Sequence, residues 1–157
     1  MSSNNIVLNR FFTQYVFNDL VANHTNSTYC TVVKRYLKDE QGKSKSNCEV
    51  ISQIYKYMSK NYRNEYFYQN TMLNKLLLGK HSLNTTTALT QIPIGKSKAD
   101  FIMINGKAVV YEIKTELDSF ERLETQLNDY FKAFNHVCVV TCESSFGKIS
   151  KLLENTP

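Results

Sequence analysis

Asp100, Glu112 and Lys114 are charged residues set inside two apolar runs rich in β-branched side chains, 99–104 and 107–114. Glu112 and Lys114 are two apart, so on a strand they project from the same face. Two carboxylates near a sheet edge supply the hard oxygen ligands that Mg²⁺ prefers, and a lysine beside them can orient or deprotonate water. These are the parts needed for metal-assisted hydrolysis of a phosphodiester, with Mn²⁺ as a substitute ion. On spacing alone a plainer account also holds, in which Glu112 and Lys114 form an exposed strand face with a cross-strand ion pair and Asp100 caps a turn.

The register between the two runs separates these accounts. Asn105-Gly106 between two β-type runs reads as a hairpin turn. A plain two-residue turn pairs Ile104 with Lys107 and Asp100 with Tyr111, leaving Asp100 and Glu112 on opposite faces. A three-residue loop with a glycine bulge pairs Met103 with Lys107 and Asp100 with Val110, which puts Asp100 on the face of Glu112 and Lys114. A shared site therefore requires a bulge or an odd-length turn.

The elements that must position these residues can be read from periodicity. Helical spacing of apolar residues predicts helices over 9–21, 48–60 and 62–78, with Gly79 placed as a C-cap for the last, and a shorter apolar piece lies over 29–37. β-branched residues then predict a strand over 85–92 that ends near Pro93, followed by the hairpin. Asp118-Ser-Phe-Glu121 has the pattern of a capping box opening a helix to Phe134, residues 137–141 read as a buried strand, and 146–153 as a closing helix. The order describes an α/β fold with a mixed central sheet and a helical N-terminal extension. One domain is expected over 1–157, with 1–47 as the extension and 48–157 as the core.

Asp100 followed by Glu112-Ile113-Lys114 resembles the signature of the PD-(D/E)XK nuclease superfamily, whose restriction-endonuclease-like core runs helix, three strands, helix, strand. Gln126-Leu-Asn-Asp-Tyr130 on the next helix is similar to the Gln-x-x-x-Tyr motif of its RecB-like branch. The resemblance covers roughly residues 48–142, and Ala99 stands where the family name has proline. It implies that Asp100 and Glu112 bind Mg²⁺, with the backbone carbonyl of Ile113 as third ligand. Lys114 would position water or stabilise charge on the phosphate, and Gln126 and Tyr130 would orient substrate or the lysine. Many members add an acidic residue on the helix before the sheet, and Glu65, the only acidic residue between Glu49 and Asp100, is the candidate. Outside that context Gln126 reads as a solvated helix position, Tyr130 as core and Glu65 as a surface residue.

Composition limits the alternatives. The chain has 157 residues and a net charge of +5 from 19 basic and 14 acidic side chains. Residues 1–99 carry 13 basic and 5 acidic residues, a net of +8, whereas residues 100–157 carry 6 and 9, a net of −3. Solvated helix lysines can account for such an excess. If the site is real, Lys96 and Lys98 are placed to contact phosphates beside the scissile bond, and Lys34, Arg35, Lys38, Lys43 and Lys45 to follow a backbone further away. DNA is the expected partner, because most of the resembled superfamily cuts DNA. A ribonuclease, or a nucleic-acid-binding protein of the same fold without turnover, is the alternative, and a homodimer is left open. The four cysteines form no Cys-x-x-Cys pair and the three histidines are scattered, which argues against zinc or haem. No run approaches the roughly 18 apolar residues of a membrane helix, and the first residues lack a signal-peptide pattern. A soluble, cytoplasmic protein with no membrane partner is expected.

Overall fold

The computed structural model describes residues 3–37, 45–78 and 84–154. Lys38, Lys43 and Gly79 lie outside the described residues. The chain divides into two compact units, Met1–Phe67 and Tyr68–Pro157.

The first unit is helical. A 3₁₀ turn, Ser3–Val7, leads into α1 (Leu8–Phe11), α2 (Gln14–Val21), α3 (Ser27–Tyr36) and α4 (Asn47–Asn61), and α5 (Glu65–Met72) begins in it. The single helix expected over 9–21 is interrupted at Thr13. This residue is extended, at φ −114° and ψ 154°, and its side chain accepts the Val16 N–H, so it acts as an N-cap and restarts the helix. Asn26 caps α3 by accepting from the Tyr29 N–H at 3.0 Å. Ser46 and Glu49 form a reciprocal capping box at the start of α4. The core joins Leu8, Phe11 and Val32 to Val50, Ile54 and Met58, a stripe on α4 at helical spacing. That helix, grouped with the sheet core from sequence, packs its apolar face among the N-terminal helices.

The second unit carries the sheet. After α5 and a π-helical segment, Leu73–Leu78, come β1 (Thr87–Ile94), β2 (Ser97–Asn105) and β3 (Lys107–Lys114). The helix α6 (Leu123–Phe131) crosses over to β4 (Val137–Thr141), and α7 (Glu143–Leu153) follows. The strand order is β1-β2-β3-β4. The first two pairings are antiparallel and β3 pairs with β4 in parallel, as a helical crossover requires. The protein is thus α/β with a mixed sheet and a helical N-terminal part, in the expected order of helix, three strands, helix, strand. One sheet face packs Ile94, Ala99, Ile102 and Val110 against Leu123, Leu127 and Tyr130 of α6 and Ile149 of α7. The other face packs Phe101, Met103 and Ile113 with Met72.

Two local expectations are corrected. The first strand runs through Pro93 to Ile94, with Pro93 opposite Lys98. Since β1 is an edge strand, the missing proline N–H removes no ladder bond. The proposed capping box at Asp118 does not form: α6 begins at Leu123 with Arg122 at its cap and no side-chain cap bond. Asp118 Oδ2 instead accepts from the Thr115 N–H at 2.7 Å and from Thr115 Oγ1 at 2.8 Å, closing a turn directly after β3.

Candidate active site

The β2–β3 hairpin turns on Gly106 alone, at φ +69°, with Asn105 opposite Lys107. Its turn is odd-length, as a shared site requires. The register lies two residues from the bulged pairing drawn from sequence: Ile104 faces Ala108 and Phe101 faces Tyr111. Asp100 is the first residue beyond this ladder, and its charge is felt by the Tyr130 hydroxyl that bonds Glu112, so the two carboxylates lie near one hydroxyl. Ile102 and Val110, and with Val110 its i+2 neighbour Glu112, lie on the face that packs against α6.

At Asp100 the sheet opens. The β2–β3 ladder ends at Phe101, and Asp100 Oδ2 accepts the Ile113 N–H at 2.8 Å in place of a backbone carbonyl. On its other side the β1–β2 ladder passes from Thr90–Phe101 to Ile92–Ala99 without pairing Gln91 and Asp100. Gln91 sits at φ +57°, the left-handed region that side chains with a Cβ rarely adopt, and its Nε2 is 3.5 Å from Asp100 Oδ1. Both neighbours of one acidic residue are therefore displaced from regular pairing.

Glu112 is 1% exposed, and each of its oxygens has a partner. Oε1 lies 2.8 Å from Lys114 Nζ, and Oε2 accepts from the Tyr130 hydroxyl at 2.7 Å. Lys114 also donates to Gln126 Oε1 at 2.9 Å. The Lys98 carbonyl lies 2.8 Å from the same hydroxyl, so its single proton is shared between an acceptor on β2 and one on β3 at the point where their ladder has stopped. Burial pushes the Tyr130 hydroxyl far above the usual tyrosine range, helped by its hydrogen bond to Glu112 and by the charges of Glu112 and Asp100. It is a permanent donor. Gln126 and Tyr130, four apart on α6, fall on one helix face, which is why both reach the sheet.

The structure therefore brings Asp100, Glu112, Ile113, Lys114, Gln126 and Tyr130 together in the second unit. Lys96 and Lys98 are exposed on the adjoining β1–β2 turn and strand. Glu65 is the first residue of α5, exposed, and belongs to the first unit with Lys34 and Arg35, both exposed. Lys38 lies outside the described residues. No group of three or more His, Cys, Asp or Glu side chains able to hold a metal occurs among the described residues. The available donors for a hard cation are two carboxylates and backbone oxygen.

Three participants were not read from sequence. Asp129 on α6 is buried and grips the β1–β2 turn. Gln91 was hidden in a β-branched run. Thr141 stands opposite Lys114 in the β3–β4 register, and its Oγ1 is buried without a hydrogen-bond partner. Only Asp129 left a signal, as an acidic residue one helical turn from Gln126.

Residues 58–156 match the family model described as Bacteriophage P4 protein cII. The chain belongs to this family. The matched segment spans the whole sheet and contains every residue of the site. No curated protein and no solved structure matches the chain. No helix among the described residues is long and apolar enough to cross a membrane.

Proposed function

We propose that this phage P4 cII family protein is a metal-dependent nuclease of the PD-(D/E)XK type that hydrolyses phosphodiester bonds, most readily in DNA. The observation that carries this reading is the register. It leaves Asp100 just beyond the end of the ladder, bonded to the Ile113 N–H and within electrostatic reach of Tyr130, beside the cluster of Glu112, Lys114, Gln126 and Tyr130. A strand residue's N–H and C=O face the same neighbour, so the Ile113 carbonyl turns to the side where its N–H meets Asp100. Two carboxylates and a peptide oxygen make a hard donor set of the kind Mg²⁺ or Mn²⁺ takes. An ion held there would supply Lewis-acid polarisation of the phosphate and a water of lowered pKa.

The protein's own groups do the rest. Gln126 fixes the Lys114 ammonium, so its charge is oriented before substrate arrives and costs little reorganisation when the phosphate becomes more negative. Tyr130 holds Glu112 at Oε2 and cannot exchange its proton near neutral pH, so it positions the carboxylate without acting as a base. Thr141, opposite Lys114 in the β3–β4 register, adds a buried hydroxyl on that side.

The test is cleavage of plasmid and of single-stranded DNA and RNA oligonucleotides with Mg²⁺ or Mn²⁺. Asp100→Asn, which keeps the size of the side chain, is expected to lower the rate by about 100-fold or more. An unchanged rate would remove catalysis from this site. One observation favours the alternative of nucleic-acid binding without turnover: both Glu112 oxygens are already engaged by Lys114 and Tyr130. That reading expects oligonucleotide binding at low salt with no cleavage under either metal.

A further inference from the structure

The turn that carries Lys96 and Lys98 is held from α6 by a group that neither the metal nor the lysine of the site requires. The Asp129 carboxylate is 7% exposed and accepts from Ser97 Oγ at 2.8 Å and from the Lys96 N–H at 3.2 Å through Oδ2. Its Oδ1 is 2.9 Å from Lys132 Nζ. It is packed so closely on the turn that a Cβ on Gly95 would lie 3.0 Å from Oδ1 and 3.1 Å from Cγ, and Gly95 is at φ +59°. One helical position further, the Tyr130 hydroxyl reaches the Lys98 carbonyl at 2.8 Å. Consecutive residues of α6 thus fasten the backbone at Lys96 and at Lys98, while both lysine side chains stay exposed.

A burial argument alone does not explain this choice. A turn with glycine in the left-handed position needs no carboxylate to form. Asp129, its charge paired with Lys132, fixes the turn's backbone and so the points from which Lys96 and Lys98 project. The cost of its burial is accepted where the position of the cations matters. Phosphate contacts fix the register of a nucleic acid on a protein, and a pre-ordered cation loses less entropy on contact than a mobile one.

We infer that Asp129 is a positioning residue which, through Ser97 and the Lys96 amide, fixes the backbone from which Lys96 and Lys98 reach the phosphates flanking the scissile bond. The inference rests on the nucleic-acid reading above and extends it to how the strand is gripped.

Full-length protein and a fluorescent DNA oligonucleotide, with chelator and no metal, give the test by anisotropy across a salt series. The double variant Lys96→Ala, Lys98→Ala is expected to lower the slope of log K against log salt by about 2, since each phosphate contact contributes about 1. Asp129→Ala should weaken binding by about fivefold and lower the slope by about 1, and in a separate cleavage assay with Mg²⁺ it should raise KM more than it lowers kcat. Added to the lysine double variant, it should change nothing further. Asp129→Asn keeps an acceptor for Ser97 and should bind nearly as the parent does. Ser97→Ala, which leaves the carboxylate in place, should give a smaller loss in the same direction if Asp129→Ala fails to fold. A loss from Asp129→Ala that multiplies with the lysine changes, or a fall in kcat with an unchanged salt slope, overturns the inference while leaving the nuclease reading intact. Absence of binding by the parent protein at low salt overturns both.

Discussion

The pair of Glu112 and Lys114 lets structure and chemistry be separated by one substitution series. Glu112 is 1% exposed and Lys114 11%, with 2.8 Å between Oε1 and Nζ. Replacing Lys114 with methionine keeps the stem and removes the charge, leaving an uncompensated buried carboxylate at a cost of about 3–5 kcal/mol. Tyr130 still donates to Oε2, so the lower end, about 3 kcal/mol, is the expected loss. At an m-value of about 2 kcal/mol/M this moves the urea midpoint down by about 1.5 M. Adding Glu112→Gln removes the orphaned charge while retaining the acceptor for Tyr130. The double variant should return to within about 1 kcal/mol of the parent. Cleavage should be lost in both. A loss below about 1 kcal/mol for Lys114→Met would show a pair solvated like a surface ion pair and refute the burial reasoning. Recovery of cleavage together with stability in the double variant would show that the pair only supports the fold. It also follows that loss of activity in Lys114→Ala, taken alone, reports folding as much as chemistry.

Three further outcomes follow from the same contacts. Tyr130→Phe removes a buried donor to a carboxylate and should cost about 1.5–3 kcal/mol in urea unfolding, with Mg²⁺-dependent cleavage lowered as Glu112 loses its position. Mg²⁺ at about 100 times its Kd should stabilise the parent by about 2.7 kcal/mol, and Asp100→Asn should abolish that gain in a thermal melt. Asp129 is held below the ordinary carboxylate range, first by Lys132 and then by Ser97. A depressed pKa contributes stability that is full above the unfolded value of about 4 and fades as pH falls through the native value. The thermal midpoint of Asp129→Asn should therefore fall less than that of the parent on acidification below about pH 4.

The sheet was legible because strand and turn signals are local. β-branched runs on either side of Asn105-Gly106 identify the hairpin, and the requirement that Asp100 share a face with Glu112 selects an odd turn. The actual register was not legible. Asn-Gly admits several turn lengths, and the choice among them depends on how β2 also pairs with β1, where Gln91 breaks the ladder. Gln91 gives no warning, since nothing about glutamine favours a positive φ. The helix breaks failed for a related reason. Thr13 and Asp118 both sit in cap-like patterns, yet Thr13 caps α2 in the middle of an unbroken apolar period, while Asp118 is claimed by Thr115 before α6 begins. A short polar side chain has several nearby backbone partners, and the tertiary course of the chain decides which it takes. Asp129 and Thr141 were missed because their roles arise only when α6 and β4 are laid against the hairpin.

Asp100 decides between a site and a structural ion pair. Glu112, Lys114, Gln126 and Tyr130 could persist as a satisfied polar cluster, since every charge in that set has a counter-charge or a donor. Asp100 adds a second carboxylate beside this cluster, held by the Ile113 N–H and facing Gln91 Nε2. It interrupts pairing with β1 on one side and β3 on the other, and it stands beside a glutamine in the left-handed region. Strain of this kind costs about 1–3 kcal/mol and persists only where the surrounding structure over-determines it. Regular pairing on both sides is given up at the position that brings a second carboxylate near Glu112 and Tyr130, as expected where local stability yields to a binding or catalytic requirement.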